Sequence, residues 1–302
     1  MLKDKLFNIN NERDFQDLTF EVFKHQYINC KIYREFCGYL KKNPENISRI
    51  EDIPFLPIEF FKKFKVLSTS QPVQKIFESS GTTGQITSKH HITDIDLYEK
   101  NFSQIFESQY GDIQDYVILA LLPSYLERKG SSLVYMVNKL IKKTRHPDSG
   151  FFLGDLKDLK HKLEKLESKK QKTLLIGVSF ALLDFIEQYP MKLKHTIVME
   201  TGGMKGRRKE ITREELHKTL SKGFGVEHIH SEYGMTELLS QAYSKGQGIF
   251  NLPQTMDVLI RDPEDPLHIF KKYNKTGGIN IIDLANVNSC AFIATQDLGQ
   301  KV

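Results

Sequence analysis

Cysteine is scarce in this sequence and long apolar runs are absent, and both shortages exclude classes of protein. The cysteines Cys30, Cys37 and Cys290 are odd in number and lack CxxC spacing, so neither a disulfide framework nor a zinc site is indicated. No stretch is long enough to span a bilayer, and the N-terminus MLKDKLFNINNERDF has no uninterrupted apolar segment typical of a signal peptide. We therefore expect a cytoplasmic protein without integral membrane association.

Charge of one sign is not concentrated anywhere in the chain. The 302 residues contain 43 Lys+Arg and 38 Asp+Glu, a net charge of +5, with both signs mixed along the sequence. This excess is too weak and too dispersed to indicate a nucleic-acid partner. Apolar residues make up 39% and charged residues 27%, which is typical of a folded globular protein.

Strand and helix patterns alternate through the middle of the chain. Three apolar runs have the length and β-branched content of buried strands: Tyr116–Leu122, Thr173–Val178 and His195–Met199. Helical periodicity is found in Phe15–Leu40, as one or two helices, in Leu156–Leu166, and in Ile211–Leu220, which is expected to stop before Gly223. Further strands are predicted at Val226–Ile229, Met256–Ile260, Gly278–Leu284 and Ala291–Ala294. The pattern predicts an α/β fold with mainly parallel pairing and a strand-rich C-terminal part, and no linker or repeat marks a domain boundary.

The stretch SSGTTG is a candidate phosphate loop. Its glycines let successive backbone N–H groups point at one anion, its hydroxyls add donors, and Lys89 adds a positive charge. The loop is not a Walker A motif, because Ile86 stands where that motif requires glycine. The candidate phosphate-binding residues of the loop are Ser80, Gly81, Thr82, Thr83 and Gly84. A solvated turn rich in serine, threonine and glycine is the alternative interpretation.

The stretch HSEYGMTE follows a predicted strand and turns at Gly234. Open α/β sheets bind ligands at such strand ends, so an aromatic ring, a hydroxyl and a carboxylate would face a crevice. Glu237 has the hard oxygen atoms that Mg²⁺ prefers, and Tyr233 offers a ring on which a base can stack. Taken alone, the stretch is also compatible with a helix that starts around Thr236 and Glu237.

Two further turns carry candidate ligand contacts. Gly202 and Gly203 follow a predicted strand and permit a flat ligand to approach the backbone closely, although a plain tight turn has the same sequence. In ATQDLG, near the end of the chain, Asp297 can accept hydrogen bonds from ribose hydroxyls, while an Asp before Gly at a strand end is also a common turn residue.

Together these four stretches resemble the adenylate-forming superfamily, which includes acyl-CoA synthetases, luciferases and peptide-synthetase adenylation domains. SSGTTG with Lys89 is similar to its phosphate loop, YGMTE to its adenine and magnesium motif, and ATQDLG to its ribose-binding motif. The more particular stretches FESSGTTGQITSKHH, ETGGMKGRR and HSEYGMTELLSQAY resemble the LuxE group, the acyl-protein synthetases that supply activated fatty acid to a reductase. This resemblance extends from about Ile53 to the end of the sequence.

The resemblance implies a role for each candidate residue, with ATP and Mg²⁺ as the cofactors. The residues implied to bind the ATP phosphates are Ser80, Thr82, Thr83 and Lys89. The other implied contacts are Gly202, Gly203 and Tyr233 with the adenine, Thr236 with the α-phosphate, Glu237 with Mg²⁺ and Asp297 with the ribose. The glycines that shape these turns around the nucleotide are Gly81, Gly84 and Gly234. The catalytic candidates are Lys89, Thr236 and Glu237. No general base is required, and among the histidines only His230 is placed near the site.

The resemblance also implies a fold and a reaction. Residues 1–302 would form the large AMP-binding domain, with mixed, mainly parallel sheets flanked by helices. Most or all of the small C-terminal domain, with the acceptor cysteine, would lie beyond Val302. We expect ATP-dependent activation of a carboxylic acid, a long-chain fatty acid, to acyl-AMP, followed by acyl transfer to a protein cysteine or another thiol. An acyl-acceptor or reductase protein is then the expected partner.

Two alternatives to this reaction remain open on the sequence. The first is a CoA ligase of the phenylacetate-activating kind, which shares the first half-reaction. The second is a non-catalytic nucleotide-binding subunit of a fatty-acid reductase complex.

Overall fold

The computed structural model describes residues 2–79, 86–122, 130–152, 154–203, 208–209, 211–271 and 273–302. The chain divides into two compact units. Unit 1 comprises Met1–Asn101, Met235–Ser240 and Leu252–Val302, and unit 2 comprises Phe102–Gly234 and Gln241–Asn251. Because the chain passes between the units several times, no single linker separates them.

Helices and strands alternate through most of the chain. The α-helices are α1 (Leu2–Leu6), α2 (Glu12–Asn29), α3 (Lys31–Tyr39), α4 (Phe60–Lys63), α5 (Ile95–Tyr110), α6 (Ser132–Thr144), α7 (Leu156–Ser168), α8 (Ser179–Gln188) and α9 (Arg213–Phe224). The strands are β1 (Leu56–Pro57), β2 (Lys75–Glu78), β3 (Lys89–Ile92), β4 (Val117–Leu121), β5 (Gly150–Phe151), β6 (Thr173–Gly177), β7 (Thr196–Glu200), β8 (His230–Tyr233), β9 (Ala242–Ser244), β10 (Phe250–Asn251), β11 (Met256–Arg261), β12 (Gly277–Asp283) and β13 (Phe292–Gly299). No helix among the described residues is long and apolar enough to cross a membrane.

Unit 2 is built on a seven-stranded sheet with the order β10-β9-β8-β7-β6-β4-β5. The strands from β5 to β8 pair in parallel, and β9 and β10 add antiparallel pairs at one edge. All five residues of β4 and of β6 are buried, as expected for parallel strands covered on both faces. The predicted mixed, mainly parallel α/β architecture is confirmed.

Unit 1 contains a four-stranded sheet with the order β1-β13-β12-β11 and a separate β2-β3 hairpin. β11, β12 and β13 pair antiparallel, whereas β1 joins β13 in parallel. The side chain of Gln26, in α2, donates to the carbonyls of Asn286 and Val287 and accepts from the N–H of Ala291. Unit 1 therefore joins the first and last segments of the described chain, and the C-terminal part is rich in strand as predicted.

Two differences from the sequence predictions lie around α9. The helix continues through Gly223 and ends at Gly225, whose φ of 62° is left-handed. Gly223 is needed inside the helix because a Cβ there would lie 2.6 Å from Cδ1 of Ile186. Val226–Ile229 is not a strand: the N–H of Val226 still bonds to the carbonyl of Ser221, and the strand begins only at β8. The apolar residues after Gly225 thus belong to the end of the helix and the approach to β8.

Candidate functional site

The β2-β3 hairpin carries the two ends of the candidate phosphate loop. Glu78 pairs with Lys89 at the end of the hairpin. One residue further, the N–H of Ser79 donates to the carbonyl of Ser88 at 3.1 Å, and the N–H of Ser88 donates to Oγ of Ser79 at 2.9 Å. The predicted phosphate-binding residues Ser80, Gly81, Thr82, Thr83 and Gly84 lie outside the described residues. The base of their loop is therefore defined by a closed antiparallel pair.

Residues 88–90 alternate between the interior and the surface. Ser88 and His90 are 2% and 1% exposed, whereas the side chain of Lys89 is 53% exposed and its Nζ lies 3.6 Å from Oε1 of Glu78. Alternation is the normal consequence of strand geometry. The structure thus brings the two neighbours of Lys89, rather than Lys89 itself, into the interior of unit 1.

The interior contacts of Ser88 and His90 are with the YGMTE turn. Nδ1 of His90 lies 2.9 Å from the carbonyl oxygen of Thr236. The side chain of Ser88 hydrogen-bonds the carboxyl of Glu237, which is 3% exposed. Asn286 fixes the next carbonyl, since its Nδ2 donates to the carbonyl of Glu237 at 2.8 Å. Two motifs that are far apart in the sequence are therefore joined by side-chain hydrogen bonds.

The turn at Thr236 and Glu237 is not the start of a helix, so that alternative is wrong. Residues 234–241 contain no helix. Asp283 explains why, because its carboxylate accepts the N–H groups of Leu239 and Ser240 at 2.7 and 2.9 Å. These two donors are therefore satisfied from β12, outside any helix.

Burial raises the pKa of the Glu237 carboxyl. The hydrogen bond from Ser88 and the charge of Lys62 act in the opposite direction, and the charge of Asp297 adds to the increase. Asp297 is exposed and lies inside β13, so the interpretation of ATQDLG as a turn is wrong. Ser88 and Asp297, from two other motifs, thus both act on the pKa of Glu237 within unit 1.

Unit 2 holds the glycine turn predicted to flank the adenine. Gly202 and Gly203 have φ of 73° and 87°, a region that favours glycine, and both are exposed directly after β7. Glu200, the last residue of β7, is buried and accepts the N–H of Gly202 at 2.6 Å. Its carboxylate also lies 3.3 Å from Oγ of Ser179 and 3.5 Å from Nε2 of His217. A buried carboxylate therefore fixes the predicted adenine turn.

Tyr233 and Gly234 belong to unit 2, at the end of β8. Tyr233 is half-buried and packs edge-on against Phe250, with ring centroids 5.9 Å apart. Gly234 is exposed, and a Cβ there would lie 2.5 Å from Oε1 of Glu232, the movable end of that side chain. His230, at the start of β8, packs against Tyr110, with Nδ1 3.1 Å from its hydroxyl.

Sequence reasoning missed Ser88, His90 and Glu200, because none of them looks like a nucleotide ligand. Two sequence signals indicate them. One is a polar residue that alternates with Lys89 after the loop, and the other is a carboxylate two residues before paired glycines. Among the described residues no group of three His, Cys, Asp or Glu side chains could hold a metal ion. Glu237 still fits Mg²⁺, which proteins often bind through one or two carboxylates together with substrate phosphates.

Comparison with known proteins agrees with these motifs. The acyl-protein synthetase family LuxE matches residues 6–96. A curated relative, the long-chain-fatty-acid–luciferin-component ligase of Photorhabdus luminescens, is 35% identical over 74 residues, which cover 24% of this chain and 63% of the relative. The chain is similar to both. The LuxE match begins well before Ile53, where the motifs placed the start of the resemblance, and it ends at residue 96, short of the predicted extent to the end of the sequence. α2 and α3 carry none of the motifs.

Solved structures show the fold of the chain. An open 2-hydroxyisobutyryl-CoA ligase in complex with 2-HIB-AMP and CoA has a TM-score of 0.66 at 12% identity, covering 95% of this chain and 65% of the ligase. ATP-bound MatB from Rhodopseudomonas palustris has a TM-score of 0.55 at 17% identity, covering 77% of this chain and 46% of MatB. The fold is that of the adenylate-forming ligases. The chain spans less than two thirds of each of these relatives.

Proposed function

We propose that this chain uses ATP and Mg²⁺ to activate a carboxylic acid, a long-chain fatty acid, as an acyl-AMP. The observation that carries the proposal is the convergence of three predicted nucleotide motifs within unit 1. Ser88 and His90 follow the SSGTTG loop and contact Glu237 and Thr236 of the YGMTE turn. Asp297 of the ATQDLG motif is close enough to raise the pKa of Glu237. Motifs that merely resembled a nucleotide site by chance would have no reason to meet.

The proposed chemistry needs positioning and charge rather than an acid or a base. A carboxylate oxygen of the substrate forms a bond to the α-phosphorus of ATP, and the bond from that phosphorus to the bridging oxygen breaks. Pyrophosphate leaves with the electron pair, and no proton is transferred. Fixing both reactants can supply about 7–11 kcal/mol of the barrier. Donors and positive charges that face the developing negative charge supply much of the rest.

The residue roles in this proposal are those that the resemblance implies. The phosphates are assigned to Ser80, Thr82, Thr83 and Lys89, the α-phosphate to Thr236, the adenine to Gly202, Gly203 and Tyr233, and the ribose to Asp297. Glu237 would hold Mg²⁺, which when bound neutralises phosphate charge. A buried carboxyl with a raised pKa supports this assignment, because a nearby cation would offset the cost of ionising it.

Lys89 pairs with Glu78, with Nζ 3.6 Å from Oε1. An ion pair between exposed side chains contributes little, so ATP phosphates can compete for this lysine. The contact proposed for Lys89 would strengthen as charge develops on the departing pyrophosphate.

The second proposed step transfers the acyl group to a thiol. The family that matches residues 6–96 is described as acyl-protein synthetase, which favours a protein acceptor, and the resemblance implies a reductase as that partner. One similar solved structure is a 2-hydroxyisobutyryl-CoA ligase in complex with CoA, which makes CoA the second candidate. Incubation with a radiolabelled long-chain fatty acid, ATP and Mg²⁺ distinguishes them. Hydroxylamine-labile label on protein supports an acyl-protein synthetase, and label only on added CoA supports a CoA ligase.

The adenylation step itself is tested by acid-dependent exchange of labelled pyrophosphate into ATP. We expect exchange with a long-chain fatty acid and none without Mg²⁺. Lys89→Ala should lower kcat more than it raises KM for the acid. Lys75→Ala, which removes another lysine of the same hairpin, is the control and should retain exchange. Binding of ATP without exchange for any carboxylic acid would contradict the proposal and favour a non-catalytic nucleotide-binding subunit.

A further inference from the structure

His90 is a buried histidine to which the proposed chemistry gives no role. Its ring lies edge-on to Phe61, with centroids 5.5 Å apart, and both of its nitrogen atoms have partners. Nδ1 lies 2.9 Å from the carbonyl oxygen of Thr236, and Nε2 lies 2.9 Å from Oγ of Ser289. Both nitrogen atoms are thus satisfied, as burial of an imidazole requires, and what sets His90 apart is that one partner is the backbone of the YGMTE turn.

The partners determine which nitrogen carries the proton. A carbonyl oxygen only accepts, so Nδ1 of His90 must be the donor to Thr236. Burial lowers the pKa of His90 to about 4, so the ring is neutral near pH 7. Nε2 is then the acceptor, and the hydroxyl of Ser289 donates to it. The ring can therefore make both hydrogen bonds in one tautomer.

The contact with Thr236 is one of two that hold successive carbonyl groups of the turn. His90 holds the carbonyl of Thr236 and Asn286 holds that of Glu237. Ser289 belongs to the same arrangement, because its N–H donates to the carbonyl of Asn286 at 2.9 Å. These two carbonyls belong to the peptide groups on either side of Glu237. Fixing both groups fixes the positions from which the side chains of Thr236 and Glu237 project.

We propose that His90 is a positioning residue for adenylation. Its Nδ1–H holds the carbonyl of Thr236 and so sets the orientation of Thr236 relative to β3, the strand that follows the phosphate loop. This inference rests on the proposed function, because it assumes that Thr236 contacts the α-phosphate. His90 directly follows Lys89 in β3, so one short strand carries a predicted phosphate ligand and the anchor of another. His90 itself touches no reacting atom.

Two amide substitutions distinguish the roles of the two ring nitrogen atoms of His90. The side-chain amide of His90→Asn can place a donor near the position of Nδ1, and that of His90→Gln can reach the position of Nε2. Both variants lose the ring that packs on Phe61, so each controls for the packing loss of the other. Ser289→Ala is a third variant, which removes only the partner of Nε2.

We expect the Asn variant and Ser289→Ala to retain kcat for pyrophosphate exchange within about threefold. A misplacement of about 1 Å can cost roughly 100-fold in rate, so the Gln variant should lose about 10- to 100-fold in kcat. Its KM for ATP should change far less than its kcat, because the adenine and ribose contacts are untouched. If the Asn and Gln variants lose the same factor in kcat, and this loss follows the fall in their melting temperatures, the proposal is overturned and His90 is a packing residue.

A second measurement does not depend on activity. Hydrogen–deuterium exchange of a peptide covering residues 234–240 should be faster in the Gln variant than in the Asn variant. Equal exchange in both variants overturns the positioning role. If the unmodified chain shows no pyrophosphate exchange with any acid while the two variants still differ in deuterium uptake, the proposed function fails and the contact stands.

Discussion

At the scale of single residues, Glu200 and Glu237 are both buried carboxylates, but their surroundings act on them in opposite directions. Burial opposes ionisation of Glu200, yet hydrogen bonds from His217, Ser231 and Gly202 outweigh it and hold its pKa below the usual value. Burial raises the pKa of Glu237, and its single side-chain hydrogen bond, from Ser88, does not compensate. A buried carboxylate that accepts enough hydrogen bonds within the chain stays ionised and stabilises a turn. A buried carboxylate whose hydrogen bonds do not offset the cost of burial favours a bound cation.

The first prediction concerns Glu237→Gln, which keeps the shape and removes the charge. We expect Mg²⁺-dependent pyrophosphate exchange to fall by about 100-fold or more, the scale of losing a major electrostatic contact. A carboxyl whose pKa is raised in the folded state destabilises the fold as the pH rises through that pKa. At pH 8 the melting temperature of the Gln variant should therefore equal or exceed that of the parent. This advantage should vanish near pH 4, where the carboxyl is protonated in both states.

Thermal melts at the two pH values and exchange assays at varied Mg²⁺ check this prediction. A Gln variant that melts well below the parent at pH 8 would mean that Glu237 stabilises the fold as an ionised group. Exchange that remains Mg²⁺-dependent at the parental rate would remove Glu237 from the metal site.

The second prediction concerns the ring of Tyr233. Tyr233→Ala should weaken ATP binding by about 1–3 kcal/mol, the scale of a lost stacking platform for a base. Tyr233→Phe is the matched control, because it keeps the ring and should bind ATP nearly as well as the parent. Calorimetry on both variants is the measurement, and unchanged affinity in the Ala variant would remove Tyr233 from the adenine site.

At the scale of elements, what the sequence predicted well were the strands that are buried on both faces. β4, β6 and β7 are near-continuous apolar runs, and such runs indicate parallel strands directly. β8 was placed too early, because its four residues, HSEY, are mostly polar and resemble a loop. Its identity as a strand depends on pairing with β7 and β9, which no local pattern contains.

The third prediction tests how β7 ends. Glu200→Gln removes the charge that accepts the N–H of Gly202 and faces His217. A hydrogen bond to a charged group contributes about 1.5–3 kcal/mol, so the variant should be less stable at pH 7. Because the pKa of Glu200 is lowered, its contribution is present above the usual carboxyl pKa and is lost as the pH falls through the lowered value. The difference in stability should therefore shrink below about pH 4.

Denaturant unfolding at pH 7 and pH 3.5 measures this difference. Glu164→Gln, an exposed carboxylate of α7 that pairs with Lys160, is the control and should change nothing measurable. A stability difference for Glu200→Gln that persists unchanged at low pH would mean that packing, and not charge, accounts for it.

At the scale of the whole molecule, sequence patterns could not predict which motifs meet. His90 and Thr236 are separated by 146 positions, and their hydrogen bond depends on β3, the YGMTE turn and the segment around Asn286 all folding together. Local periodicity indicates which residues are buried and whether they form a helix or a strand. It contains no information on contacts between residues this far apart in the sequence. The roles of Lys89 and Asp297 came from the resemblance, and both residues are exposed in the structure. Their roles remain predictions.

The three cysteines also meet from distant parts of the chain. Cys30, Cys37 and Cys290 are all free and buried in unit 1. Burial raises the pKa of Tyr33, and all three thiols add to the increase. The ring of Tyr33 stacks on Phe292 at a centroid distance of 5.9 Å. The three thiols therefore all lie in the core around Tyr33.

The last prediction is that none of these three thiols accepts the acyl group. Burial raises the pKa of Cys37 to about 12 and also raises those of Cys30 and Cys290, while the thiolate is the nucleophile. Ellman's reagent should therefore react with none of them in the native chain within minutes, and with all three in denaturant. After incubation with a long-chain fatty acid, ATP and Mg²⁺, mass spectrometry should find no thioester at these positions. An acyl group on Cys290 would require unit 1 to open during turnover, and would make the chain its own acceptor.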